Sequence, residues 1–299
     1  LNNVAINRGT INLTGTTTGI TDLTMATGSV FNLGGFATTV GTLAGGGGTV
    51  ALGSATLTLG SGTQSQTFDG TITGTGGLTK IGANTFSLSG VQSYTGLTSV
   101  SGGTFILGSN GALAGALVNN ATVSSNGLIA GLVTNNATLV STGALNGGLI
   151  NAGGGNASIR GTLAGAVNNA GTITLTGATT GIGALTQAST GSFVLGANST
   201  SIGSLAGSGA VRLANGAILT TGGNNASTSF AGTISGNGGL TKTGTGTFTL
   251  SAANDFNGLA TVTAGTLAIG SGGSLVGGVA NNASFTNAGS VTGAVTNTG

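Results

Sequence analysis

Short runs in which every second residue is apolar recur along the whole chain. Gly9-Thr-Ile-Asn-Leu13, Asn84-Thr-Phe-Ser-Leu88, Gly103-Thr-Phe-Ile-Leu107, Gly246-Thr-Phe-Thr-Leu250 and Gly265-Thr-Leu-Ala-Ile269 all carry apolar side chains at the third and fifth positions, with small or polar residues between them. A period of two is that of a strand with one buried face. Gly and Asn, which tolerate left-handed turn conformations, interrupt the pattern every few residues. The pattern predicts many short strands joined by close turns.

The runs belong to a repeat. Gly9-Thr-Ile-Asn-Leu-Thr-Gly-Thr-Thr-Thr-Gly-Ile20 returns as Gly171-Thr-Ile-Thr-Leu-Thr-Gly-Ala-Thr-Thr-Gly-Ile182, an offset of 162 residues, and the same offset takes Phe68 to Phe230, Leu78-Thr-Lys80 to Leu240-Thr-Lys242 and Asn119-Asn-Ala121 to Asn281-Asn-Ala283. The chain divides accordingly into a first unit, 1–162, and a second, truncated unit, 163–299, continuous with it. The break in mid-unit is expected of a fragment of a longer array. A finer period lies inside: Asn119-Asn-Ala, Asn135-Asn-Ala and Asn151-Ala-Gly follow one another at 16-residue steps. Strands, turns and a repeat of this length predict an all-β fold, a parallel β-solenoid of the right-handed β-helix kind forming an elongated rod. Each strand satisfies its backbone groups on the equivalent strand of the next turn, about 4.8 Å away. Turns of ~18–20 residues give about 15–17 turns and a rod of roughly 70–80 Å. Phe86 and Phe248, equivalent in the two units, are expected to point inward, and Asn and Thr at equivalent turn positions to form ladders along the axis.

Composition narrows the alternatives. Of 299 residues, 64 are glycine and only 3% are charged, with five basic residues (Arg8, Lys80, Arg160, Arg212, Lys242) against three acidic (Asp22, Asp69, Asp255). Helix surfaces lack their usual residues, and glycine costs about 1 kcal/mol per helical position relative to alanine. Disorder is disfavoured because 38% of the chain is hydrophobic and its net charge is only +2. The scattered basic residues make no nucleic-acid footprint. The apolar runs are too short for a membrane helix, and the single Tyr and absent Trp argue against aromatic girdles of a membrane barrel in this segment.

One stretch carries a longer motif. Gly76-Gly-Leu-Thr-Lys-Ile-Gly-Ala-Asn-Thr-Phe-Ser-Leu88 continues through Tyr94-Thr-Gly96 to Gly103-Thr-Phe-Ile-Leu107; its partner runs from Gly238-Gly-Leu-Thr-Lys242 through Phe256-Asn-Gly258 to Gly265-Thr-Leu-Ala-Ile269. Both resemble the autotransporter-associated β-strand repeat, with its lysine at Lys80 and Lys242 and its aromatic at Tyr94 and Phe256. The second copy departs from the pattern with Ala252 in place of Gly and Phe256 in place of Tyr. The resemblance implies a passenger of the β-helix kind, exported through a C-terminal outer-membrane barrel and displayed on, or released from, a Gram-negative cell.

Catalytic chemistry has little to build on. His, Cys and Glu are absent, so the usual triads and glutamate pairs cannot form, and the three Asp fall far apart along the chain. No catalytic, cofactor-binding or metal-binding residues are assigned, and no cofactor is expected. A Ser–Lys dyad on Lys80 or Lys242 is weighed against the plainer reading of each lysine as a solvated turn residue, which is preferred. Gly45-Gly-Gly-Gly48 lacks the Lys-Ser/Thr of a phosphate loop. Sequons at Asn12, Asn120, Asn136, Asn156, Asn198, Asn225 and Asn282 are expected by chance in so Ser/Thr-rich a chain. Threonine pairs flanking an inward residue, such as Thr56-Leu-Thr58 and Thr247-Phe-Thr249, raise an ice-binding surface as an alternative, but their spacing is irregular.

The expected function is therefore a structural, non-enzymatic stalk or fibre segment of a bacterial cell-surface or secreted adhesin. A polysaccharide-acting β-helix enzyme and an ice-binding solenoid are the alternatives. Expected partners are copies of itself, stacked head to tail into filaments, and a host or cell-surface glycan or protein receptor. Nucleic acid is not among them.

Overall fold

Among the described residues of the computed structural model, 2–60, 62–214 and 216–298, there is no helix, and every strand pairing is parallel. Strands pair with their equivalents on neighbouring turns. This is a β-solenoid, as the alternation requires: strands of two to nine residues, most of them of four or fewer, cannot satisfy their backbone groups alone, and stacking supplies the missing partners. The chain forms two compact bodies, Leu1–Gly147 and Gly148–Gly299, called the first and second units from here on, as distinct from the sequence repeats 1–162 and 163–299.

In the first unit the turns have three sides. One side carries Leu57–Leu59, Leu78–Lys80, Thr98–Val100, Leu117–Asn119 and Val133–Asn135. A second carries Gln66–Phe68, Thr85–Leu88, Thr104–Leu107, Thr122–Ser125 and Thr138–Ser141. The third is a short edge of Ala112–Leu113, Leu128–Ile129 and Ala144–Leu145. Successive turns shorten: Leu57 pairs with Leu78, Leu78 with Thr98, Thr98 with Leu117 and Leu117 with Val133, steps of 21, 20, 19 and 16 residues. The second unit repeats the series through Leu219, Leu240, Ala260, Val279 and Val295. The 162-residue duplication is thus a duplication of turn lengths. Corners absorb the difference, so strand register survives it.

The core is a set of inward columns. Phe86 and Phe248 are buried as expected, and Phe86 lies against Phe105 with ring centroids 6.2 Å apart. Burying such a side chain contributes about 1.5–3 kcal/mol. Phe68, Leu88 and Leu107 follow one another in register, as do Phe230, Leu250 and Ile269. Stacking also dictates glycine at some corners. A Cβ on Gly127 would lie 2.1 Å from the Gly111 carbonyl oxygen, and one on Gly289, its equivalent, 2.2 Å from that of Gly273.

The asparagine ladder is present, but inside the solenoid. In the first unit Asn119 Nδ2 donates to Asn135 Oδ1 at 2.7 Å and to the Thr138 carbonyl at 2.7 Å. In the second unit Asn151 Nδ2 donates to Asn169 Oδ1 (2.8 Å), and Asn169 Nδ2 to Gln187 Oε1 (2.7 Å). These amides are buried, and their donors are met by the next turn or by backbone carbonyls of their own, as at Asn135 to Ala137 and Asn151 to Gly155, which offsets the cost of burying them.

Candidate functional site

The groups with most chemical potential cluster in the two motif copies. In strand Leu78–Lys80 the alternation that turns Leu78 inward also turns Lys80 inward. Lys80 has no exposed surface. Its ammonium donates to the carbonyls of Ile81 (2.6 Å), Gly82 (3.0 Å) and Gly102 (3.2 Å). Lys242 does the same one copy later, to Thr243, to Gly244 (2.8 Å) and to Ala264 (3.2 Å). Three N–H donors meet three carbonyls, two on the lysine's own turn and one on the next. Gly82 and Gly244 sit at φ 71° and 66°, which lets the corner aim its carbonyls at the ammonium. Burial lowers the pKa of both lysines from the ordinary 10.5.

This corrects the reading of Lys80 and Lys242 as solvated turn residues. The physical reason is the period: Lys80 is two residues from buried Leu78 and shares its face. The Leu-x-Lys spacing was the signal, and the general preference of charged side chains for water masked it. The dyad reading gains nothing either, because each ammonium already spends its donors on three backbone oxygens.

A further buried amide completes each copy, and the first copy adds a buried hydroxyl pair. Gln92 Oε1 accepts from the Ile72 amide at 2.6 Å, and its Nε2 donates to the carbonyls of Gly70 (3.1 Å) and Gly90 (2.6 Å). Asn254 holds the equivalent Ile234 amide at 2.9 Å and donates to Ala252 (2.7 Å). Tyr94 is buried, its hydroxyl 2.6 Å from Thr98 Oγ1. Burial raises the Tyr94 pKa well above its ordinary 10.0, and the hydrogen bond to Thr98 opposes that rise. At the equivalent positions the second copy has Phe256 and Ala260, both buried.

Two stretches match the passenger-associated-transport-repeat family model, residues 78–107 and 240–269. They are the segments that carry the lysine cages, the buried amides and the aromatic pair. The repeats cover about a fifth of the 299 residues, and both they and the solenoid accord with an autotransporter passenger. No curated protein and no solved structure matches the chain.

The remaining charged groups sit outside the repeats except Asp255, which lies in the second. Asp22 is half-buried and accepts from Thr42 Oγ1 at 2.6 Å; with its side-chain amide turned to present nitrogen, Asn3 donates to the other carboxylate oxygen at 2.9 Å. The carboxylate therefore bridges three turns. It borders a shallow groove of about 290 Å³ with Thr18, Thr63 and Gln64 on its rim. Asp69 and Asp255 are exposed on other turns. Among the described residues no three acidic or other metal-ligating side chains lie together, and no helix is long and apolar enough to cross a membrane.

The outer threonines follow a rule that their sequence spacing hides. Thr85, Thr104, Thr122 and Thr138 are paired in register and form one outward column, although they are 19, 18 and 16 residues apart. The Thr-x-Thr pairs that flank an inward apolar residue do not stack on one another: Thr174 pairs with Val194, and Thr249 with Ala268.

Proposed function

We propose that this chain is a structural, non-catalytic segment of a secreted or surface-exposed passenger, a stalk whose work is reach and resistance. The observation that supports this most strongly is the use made of Lys80 and Lys242. Both ammonium groups are spent entirely on backbone carbonyls of two successive turns, so each fastens the solenoid to itself. The buried amides and the Asn ladder serve the same end. Adhesive contacts, to a glycan or protein receptor or to further copies of the chain, are assigned to the outward faces, with low affinity per turn. Two measurements test this reading. Limited proteolysis of the folded chain should leave both repeats intact long after an unfolded control is digested. A screen against polysaccharides should release no new reducing ends; release that depends on folded protein would overturn the non-catalytic reading.

The in-register column of Thr85, Thr104, Thr122 and Thr138 favours a second reading, an ordered-water surface that binds ice. Its neighbouring column, Ser87, Ile106, Ser124 and Val140, is mixed, which makes this the weaker reading. Thermal hysteresis in the purified protein would establish it over the stalk reading.

A further inference from the structure

Several corners of the solenoid place asparagine directly before glycine, among them Asn110-Gly111, Asn126-Gly127, Asn146-Gly147 and Asn257-Gly258. Glycine is the least hindered residue to supply a main-chain nitrogen to the preceding asparagine's side-chain carbonyl carbon. Whether that nitrogen is available depends on its hydrogen bond, and the four corners differ. The Gly111 amide donates to the Gly108 carbonyl at 2.9 Å, and the Gly258 amide to that of Gly238 at 3.1 Å. The amides of Gly127 and Gly147 donate to no acceptor among the described residues. Asn126 and Asn146 are both exposed, and Thr142 Oγ1 donates to Asn126 Oδ1 at 2.7 Å, which polarises the carbonyl toward attack.

We infer that Asn126 and Asn146 are sites of spontaneous deamidation in the folded protein, while Asn110 and Asn257 are protected by the bonds on the following glycine. The main-chain nitrogen of Gly127, itself buried, loses its proton to water as the corner opens and attacks Cγ of Asn126. The new N–Cγ bond closes a succinimide, and the Cγ–Nδ2 bond breaks, releasing ammonia after solvent protonates it. Water then opens the ring at one carbonyl or the other, giving aspartate or isoaspartate. Asn146 and Gly147 follow the same course.

The duplication supplies an internal control. Gly127 and Gly289 are equivalent and both are required by close backbone approach, yet the residue before Gly289 is Ala288. The fold therefore demands the glycine and not the asparagine. Conversion has two consequences. Two events bring the formal net charge from +2 to zero, a large change for a chain with three acidic residues. Isoaspartate also adds a main-chain carbon to a 16-residue turn whose flanking strands are in register, Ser125 on Ser141 and Leu128 on Ala144. The shortest turns of the first unit thus carry a built-in mark of age.

The test is a time course of the whole folded chain at neutral pH and body temperature. It is read by peptide mapping for the amide-to-acid mass gain and by enzymatic methylation of isoaspartate, beside the same chain in denaturant. The folded chain should convert Asn126 and Asn146 several-fold faster than Asn110 and Asn257, and denaturant should abolish that ordering. In the aged protein, hydrogen exchange should quicken across residues 122–145. The Asn126→Ala variant, which copies the natural Ala288, should keep its fold and lose the mark at that site. Equal rates at all four sites in the folded chain, faster conversion at Asn110 or Asn257, or an unchanged Asn126 and Asn146 after the denatured chain has converted would each overturn the inference.

Discussion

The two passenger repeats differ where a difference is most costly, in the core. The first buries a hydroxyl pair, Tyr94 and Thr98, 2.6 Å apart; the second has Phe256 and Ala260 in the same places. Both hydroxyls are gone together. A buried polar group left alone costs about 1–3 kcal/mol, whereas replacing both partners by apolar groups of similar shape is nearly neutral. The lysine cage, by contrast, is kept in both copies although its flanking residues change from Ile81 to Thr243 and from Gly102 to Ala264. Its acceptors are backbone carbonyls, which every residue supplies. Side-chain partners must therefore change in pairs, while a side chain that binds only backbone tolerates change around it.

The largest effect should come from the apolar columns that the copies share. Phe86→Ala and Phe248→Ala should each cost about 3–5 kcal/mol, the usual range for a buried phenylalanine. Because each turn contacts only its neighbours, the loss should spread to adjoining turns and no farther. Site-resolved hydrogen exchange checks both points, and equal loss throughout the chain would contradict the local picture.

Next in size is the cage. Lys80→Met keeps the apolar stem but strands three carbonyls, and an unmet buried polar group costs about 1–3 kcal/mol. Lys242→Met should cost a similar amount in spite of the altered neighbours. Thermal unfolding of the two variants would break the comparison if one were sensitive and the other indifferent.

The reciprocal change in the aromatic position should be smaller. Phe256→Tyr places a hydroxyl beside Ala260, with no partner there, and should destabilise by about 1–2 kcal/mol; Phe256→Tyr with Ala260→Thr should recover much of that loss. Denaturant titration of the single and double variants provides the check.

The smallest expected effect is on pH dependence. Lys80 and Lys242 have lowered pKa values, so in the alkaline range below 10.5 the unfolded chain holds more protons than the folded one, and stability rises with pH there. Tyr94 has a raised pKa, so above about 10 the folded chain retains a proton that the unfolded chain loses, and stability falls. A maximum near pH 10 follows. Tyr94→Phe, which makes the first copy like the second, should remove that residue's contribution to the alkaline fall; an unchanged fall in denaturant midpoint would contradict the assignment.

Much of this was legible in the chain. Alternation located the strands and the inward Phe86 and Phe248, and the 162-residue offset took Leu57 and its successors to Leu219 and the same series of turn lengths. The lysine cages were not read, because the expectation that charge seeks water outweighed a period that already placed Lys80 with Leu78. The threonine column was hidden for another reason. Register is kept by strands while length is lost at corners, so residues 16 to 19 positions apart become vertical neighbours. The pairing of Tyr94 with Thr98 was beyond the sequence too, since alternation gives the facing of a residue and not what it touches across a corner.

The most direct test of the claim that buried side chains bonded to each other must change in pairs is a double-mutant cycle on Tyr94→Phe and Thr98→Ala, read by unfolding free energy. Each single variant should be destabilised, and the double variant should lie closer to the parent than the sum of the two losses, with a coupling of about 1 kcal/mol or more. Strict additivity, with the double variant losing as much as both singles together, would contradict it.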